Sequence, residues 1–278
     1  MDEQGMIVDA LEERLKHLDH TGQLDRLKLI YTVDYFQNPT GLTLSLARRE
    51  RLVELARQYS RKHRVLILED AAYRELRFDG VDIPSIKRFD DTNEYVMTTY
   101  TFSKPCAPGL KTGYGILPRQ LIAPMLNLKG NHDFGSSNFV QHIIDRLLAT
   151  GAYYQHVAQL CDVYRLKRDT MRSALEQHFG DLDGARWTEP RGGLYFWLTL
   201  PGDINTGPEG ELIKAAIQEG VLYVPGEFGH VSVEGPLPTH EARLSFGVVS
   251  VELIPEALRR LRIAVDRVRM GKLATQPA

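Results

Sequence analysis

The chain of 278 residues sets 34 Lys and Arg against 36 Asp and Glu, for a formal net charge of −2, and is 43% hydrophobic and 25% charged. This balance gives no basic footprint for nucleic acid, and no apolar run approaches the roughly 20 residues needed to cross a bilayer. Cys106 and Cys161 stand far apart without metal-ligand spacing, which excludes a disulfide framework or structural zinc site and suits a reducing cytoplasm.

The N-terminus carries acids where a signal peptide needs positive charge, and apolar residues at helical spacing predict a helix near Ile7 to Leu18. From Leu27 to Leu117, short β-rich runs alternate with helical stretches, the pattern of a mostly parallel sheet flanked by helices. Leu27 to Val33 is the first strand, followed by the turn Gln37-Asn38-Pro39-Thr40-Gly41. A helix capped by Ser45 then presents Leu52, Val53, Leu55, Ala56 and Tyr59 on one face. Val65 to Leu68 is continuously apolar, as expected of a strand buried on both faces, and runs into Glu69-Asp70. Tyr95 to Thr101 and Thr112 to Leu117 complete the predicted sheet.

Beyond Pro118 the pattern turns helical, with a long stretch from Tyr153 to Phe179. Strand-like runs follow at Gly193 to Leu200, Val221 to Val224 and Ala242 to Phe246, with loops at Gly202 to Gly210 and Gly229 to Pro238 and a closing helix near Pro255 to Val268. The expected organisation is an α/β domain over residues 1–150 and a smaller α+β domain over residues 151–278. Tyr153-Tyr154 and the Tyr195-Phe196-Trp197 run fit core packing.

In open α/β sheets ligands lie beyond the carboxyl ends of the strands. Those ends carry Asn38, then Asp70 with Tyr73, then Thr101, Ser103 and Lys104. The nine histidines have no HExxH spacing, and no GxSxG elbow or Walker loop is present. A lysine acts as a Schiff-base nucleophile only where its surroundings activate the amine, so Lys104 taken alone is an ordinary loop lysine.

Four motifs in order change that weighting. Thr101-Phe102-Ser103-Lys104, followed by Pro108-Gly109-Leu110-Lys111-Thr112-Gly113-Tyr114, resembles the lysine signature of class I/II aminotransferases of pyridoxal 5'-phosphate (PLP) fold type I. Asn38-Pro39-Thr40-Gly41 is similar to that family's turn, Asp70-Ala71-Ala72-Tyr73 to its Asp-x-x-Tyr element, and Ala242-Arg243-Leu244-Ser245-Phe246 to its arginine strand. The resemblance extends through Pro190-Arg191-Gly192-Gly193 and over essentially the whole chain.

The resemblance implies PLP as cofactor and transfer of an amino group between an α-amino acid and a 2-oxo acid. It makes Lys104 the cofactor lysine, Asp70 the partner of the pyridine nitrogen, and Tyr73 and Asn38 the partners of the ring's phenolic oxygen. Thr101 and Ser103 would meet the phosphate together with Lys111, where most relatives have arginine; lysine supplies a point charge in place of a bidentate fork. Arg243, with Asn38, would bind the substrate carboxylate.

The aminoadipate, aromatic and branched-chain subgroup is the nearest expectation, with a homodimer as the implied assembly. A PLP-dependent lyase shares the same cofactor residues, and the ligand-sensing domain of MocR-type transcription regulators shares the same module. The family also implies a preceding segment that supplies a phosphate-binding loop, a ring-stacking aromatic and part of the dimer contact. Without it the sheet is expected to show an unpaired edge and uncovered apolar surface, with impaired catalysis.

Overall fold

A computed structural model describes residues 1–231 and 235–275. Part of the predicted loop from Gly229 to Pro238, residues 232–234, lies outside the described residues. The chain divides into two compact units, one formed by Met1–Gln37 with Leu42–Leu160, the other by Asn38–Gly41 with the chain from Cys161 onward.

The first unit contains α1 (Val8–His20), β1 (Leu29–Val33), α2 (Leu46–Gln58), β2 (Leu66–Asp70), β3 (Val96–Thr101), β4 (Gly113–Ile116), α3 (Arg119–Asp133) and α4 (Asn138–Ala149). Its sheet has the order β1-β2-β3-β4, with the first three strands parallel and β4 antiparallel to β3. Parallel pairing aligns the carboxyl ends, so Val33 sits beside Asp70 and Asp70 beside Thr99.

The core of this unit forms on one face of the sheet. Ile30, Ile67 and Val96 pack with Val8 and Leu15 of α1 and with Leu52, Val53, Leu55 and Ala56 of α2, all buried. This is the helix face read from the sequence, with Arg49 added to it. The expectation that Val65 to Leu68 is buried on both faces is corrected: β2 alternates, with Ile67 and Glu69 buried and Leu66, Leu68 and Asp70 half-buried. β1 alternates in the same way, and Leu29 and Tyr31 are 40% and 54% exposed. Among the described residues, helices α1 and α2 cover only the side that holds Ile30, Ile67 and Val96.

Ser45 does stand at the N-cap of α2, but its hydroxyl is buried and makes no hydrogen bond with the described residues. Its backbone N–H instead donates to Gln4 O at 3.1 Å, tying the helix start to the N-terminal segment. β4 is exposed along its length, and α3 buries none of its residues.

The helix α5 (Ala152–Phe179) spans the division between the units, at Leu160 and Cys161. The second unit continues with β5 (Arg186–Trp187), β6 (Tyr195–Thr199), α6 (Glu211–Gln218), β7 (Val224–Pro225), β8 (Glu241–Ser245) and α7 (Ile254–Thr275). Its sheet is antiparallel, in the order β5-β6-β8-β7. Every residue of β6 is buried, and Phe196 packs edge-on against Phe246 with ring centres 6.0 Å apart.

The strand expected at Val221 to Val224 shrinks to Val224–Pro225, because its first residues end a helix that the sequence reading did not identify. Val221 N–H bonds to Ala216 O at 3.0 Å and Gly220 N–H to Ile217 O at 3.0 Å, with Gly220 at φ +73°. That pair of bonds around a left-handed glycine is a Schellman termination of α6.

Candidate active site

Asp70 is the last residue of β2 and is half-buried. Its Oδ1 accepts a hydrogen bond from Ala72 N–H at 3.2 Å and its Oδ2 from the Tyr31 hydroxyl at 2.9 Å. Burial, and then the hydrogen bond to Asp70, push the Tyr31 phenol up to about 12. The buried Tyr73 follows in the turn after β2, and its ring centre lies 5.9 Å from Lys104 Nζ.

On the adjacent strand end, Thr101 Oγ1 accepts from Ser103 N–H at 3.0 Å. Phe102 O then accepts from both Cys106 and Ala107 N–H at 3.0 Å, so Lys104 rides on a tight helical turn. Lys104 is half-buried, and its ammonium makes no hydrogen bond or ion pair with the described residues. The segment closes where Phe102 N–H meets Thr112 O at 3.0 Å. Gly113 is required there, since a Cβ would stand 2.3 Å from Tyr100 O. Lys111, the departure from the arginine of the family signature, is exposed and left-handed at φ +50°.

A second set of ionisable groups lies directly behind these strand ends. Arg49, Asp34 and Glu69 are each 0% exposed. Arg49 contacts the Asp34 carboxylate and lies 3.8 Å from Glu69, while its Nε and Nη2 donate to Leu44 O at 3.0 Å and Asp34 O at 2.8 Å. The guanidinium also lies over the Tyr35 ring at 4.1 Å. Glu69 accepts from Thr98 Oγ1 at 2.6 Å, from Ile86 N–H at 2.9 Å and from the Ser85 hydroxyl. Burial, reinforced by the neighbouring Glu69 charge, holds the Asp34 carboxyl well above its ordinary value against the opposing pull of Arg49.

Sequence reasoning missed this cluster. Its available signal was an arginine at position 49 on the apolar face of α2, where a solvent-facing charge is out of place.

A cavity of about 470 Å³ opens beside the β3 and β4 ends, lined by Thr101, Thr112, Tyr114, Glu75, Asp145 and Tyr153 among others. Of the predicted site residues it includes Thr101, and neither Asp70 nor Lys104 lines it.

In the second unit Arg243 sits on β8, in register with Trp197 of β6 and Val224 of β7. Its Nη1 donates to Asn38 Oδ1 at 2.6 Å, and the guanidinium lies 4.6 Å from the Tyr195 ring centre. Arg243 Nε is buried without a hydrogen-bond partner among the described residues. The Asn38–Gly41 turn is held by Thr188 Oγ1, which donates to Thr40 O at 2.7 Å. Gly41 has φ +72°, and a Cβ there would meet Tyr195 O at 2.6 Å, which explains the glycine of that motif.

Asn38 was expected from its strand-end position among the residues around Asp70. The structure groups it with Arg243 in the second unit. Asp70, Tyr73, Thr101, Ser103 and Lys104 all belong to the first.

Comparison with known proteins gives the family. Residues 1–261 match the model of the family described as aminotransferase class I and II, and the chain belongs to that family. It is 37% identical over 263 residues to the aromatic-amino-acid aminotransferase 1 of Thermococcus litoralis, covering 94% of this chain and 59% of that protein. The crystal structure of the multiple substrate aminotransferase from Thermococcus profundus superposes with a TM-score of 0.88 at 37% identity, covering 98% of this chain and 64% of the other. Pyrococcus horikoshii kynurenine aminotransferase, solved in complex with PMP, gives a TM-score of 0.88 at 34% identity over 96% of this chain and 63% of its own. The chain therefore has the fold of these enzymes and spans about three-fifths of their length.

Proposed function

We propose that this chain is the lysine-bearing part of a PLP-dependent aminotransferase that exchanges the amino group of an α-amino acid with a 2-oxo acid. The observation that carries the reading is the strand-end register of the first unit: Asp70 and the Thr101–Lys104 turn close two adjacent parallel strands, and the Lys104 amine has no competing ion pair among the described residues.

The donor set fits the cofactor chemically. A carboxylate, a primary amine, a phenol and two hydroxyls match a pyridine nitrogen, an aldehyde, a phenolic oxygen and a phosphate. When bound, PLP supplies an electron sink for the α-carbon of the amino acid.

Lys104 would hold the cofactor, and its amine would move the α-proton as a general base and then acid. Asp70 would keep the proton on the pyridine nitrogen and Tyr73 would donate to the phenolic oxygen, the role the resemblance also gives Asn38. Thr101 and Ser103 hydroxyls bind the phosphate, with Lys111 contributing charge from outside the turn. Arg243 takes the substrate carboxylate; its unpartnered buried Nε and its stacking on Tyr195 leave a rigid, under-satisfied guanidinium suited to a bidentate anion.

The reading carries a cytoplasmic setting and a homodimer with it. Neither Cys106 nor Cys161 forms a disulfide, and no helix among the described residues is long and apolar enough to cross a membrane. Exposed Ile122, Met125, Leu126 and Leu128 on α3 offer apolar surface for a second chain.

Products decide the reaction class. Incubation of the protein with PLP and a panel of aromatic, branched-chain and aminoadipate substrates should yield the 2-oxo acid and pyridoxamine phosphate in equal amounts. Elimination products with PLP regenerated would make it a lyase, and PLP binding without any product would favour a sensing domain.

A further inference from the structure

The Asp70 carboxylate is fixed at both oxygens, and only one of the two donors is a side chain. Val33 on β1 is in register with Asp70 on β2, and Tyr31, two residues earlier, projects from the same sheet face as Val33. From there its hydroxyl reaches Asp70 Oδ2 at 2.9 Å, while Ala72 N–H holds Oδ1 at 3.2 Å. Two donors set the plane of the carboxylate, and each oxygen keeps a lone pair for a further partner.

Tyr31 is 54% exposed, so burial of its ring is not what anchors it in this chain. Leu29 on the same strand and face is also exposed. The phenol, pushed up to about 12, keeps its proton at neutral pH and acts there as a donor.

We propose that Tyr31 is a positioning residue of the cofactor site, orienting the Asp70 carboxylate so that a free lone pair faces a protonated pyridine nitrogen. The inference rests on the PLP reading given above and adds a residue that none of the four sequence motifs contains. An ionised acceptor makes the bond stronger than an ordinary neutral one, and its loss should be felt by any ligand that needs Asp70 in that orientation.

The test is a set of dissociation constants for PLP and for its 1-deaza analogue, in which the ring nitrogen is replaced by carbon. They are measured by absorbance titration on the full chain as wild type, Tyr31→Phe, Asp70→Asn and the double variant. Tyr31→Phe should weaken PLP by about ten-fold and leave the 1-deaza analogue within about two-fold of wild type. In the Asp70→Asn background it should cause no further loss. An unchanged urea midpoint for Tyr31→Phe confirms that the fold is intact. Equal weakening of both ligands, no weakening of PLP, or an undiminished effect without the Asp70 carboxylate would each overturn the role of Tyr31 alone. A wild-type chain that does not bind PLP would remove the cofactor reading, and this inference with it.

Discussion

Strands β2 and β6 are both rich in apolar residues, yet β6 is buried at every position from Tyr195 to Thr199 while β2 alternates between buried and half-buried. The alternation separates two tasks within consecutive residues. Ile67 and Glu69 lie on the face packed by α1 and α2, where Glu69 is locked by Thr98, Ser85 and Ile86. Leu68 and Asp70 lie on the other face, where Asp70 meets Tyr31. One acid faces the core and its neighbour faces the opposite side of the sheet, and the two-residue period of a strand is enough to assign them.

If stability sits on one face of the first sheet, the largest loss should come from the charge buried there. Arg49→Ala leaves Asp34 and Glu69 buried without their cation. Removing one partner of such a cluster costs about 3–5 kcal/mol, to be read from the urea midpoint and slope. An effect below about 1 kcal/mol would mean that the cluster is incidental.

The comparison is sharpened within β2 itself. Ile67→Ala, at 0% exposure, should cost about 2–5 kcal/mol, whereas Leu68→Ala, half-buried on the opposite face, should cost about 1 kcal/mol or less. Equal losses would show that both faces are packed in solution.

A further effect depends on pH. Asp34 binds its proton more tightly folded than unfolded, because burial and the Glu69 charge raise its value. The stability this supplies is complete below the ordinary aspartate value of 3.8 and is lost as pH rises through the raised folded value. Wild type should therefore lose stability relative to Asp34→Asn as pH rises above about 4, by up to about 1.4 kcal/mol per pH unit. A difference that is flat over that range would place the proton elsewhere.

Much of this was legible from local pattern. The α2 face, the long helix to Phe179 and the strand carrying Arg243 follow from periodicity, and Asp70 and Thr101 follow as the ends of the β2 and β3 runs. What was not legible depends on tertiary context. Val65 to Leu68 reads as buried on both faces because apolar side chains alone do not reveal whether a second layer covers them. Val221 reads as a strand residue until Gly220 turns it into a helix cap. Tyr31 and Asp34 look like ordinary residues at a strand end, and their partners, Asp70 and Arg49, lie 39 and 15 positions away. The pairing of Asn38 with Arg243 spans 205 positions, a separation at which no spacing rule operates.

The central claim is that Lys104 holds the cofactor, and one labelling experiment addresses it directly. The protein is mixed with PLP, reduced with borohydride, digested and mapped by mass spectrometry beside a Lys104→Ala control. A phosphopyridoxyl group on the peptide containing Lys104, absent from the control, is the predicted result. A label spread over surface lysines, or one that persists in Lys104→Ala at the same level, would contradict the assignment.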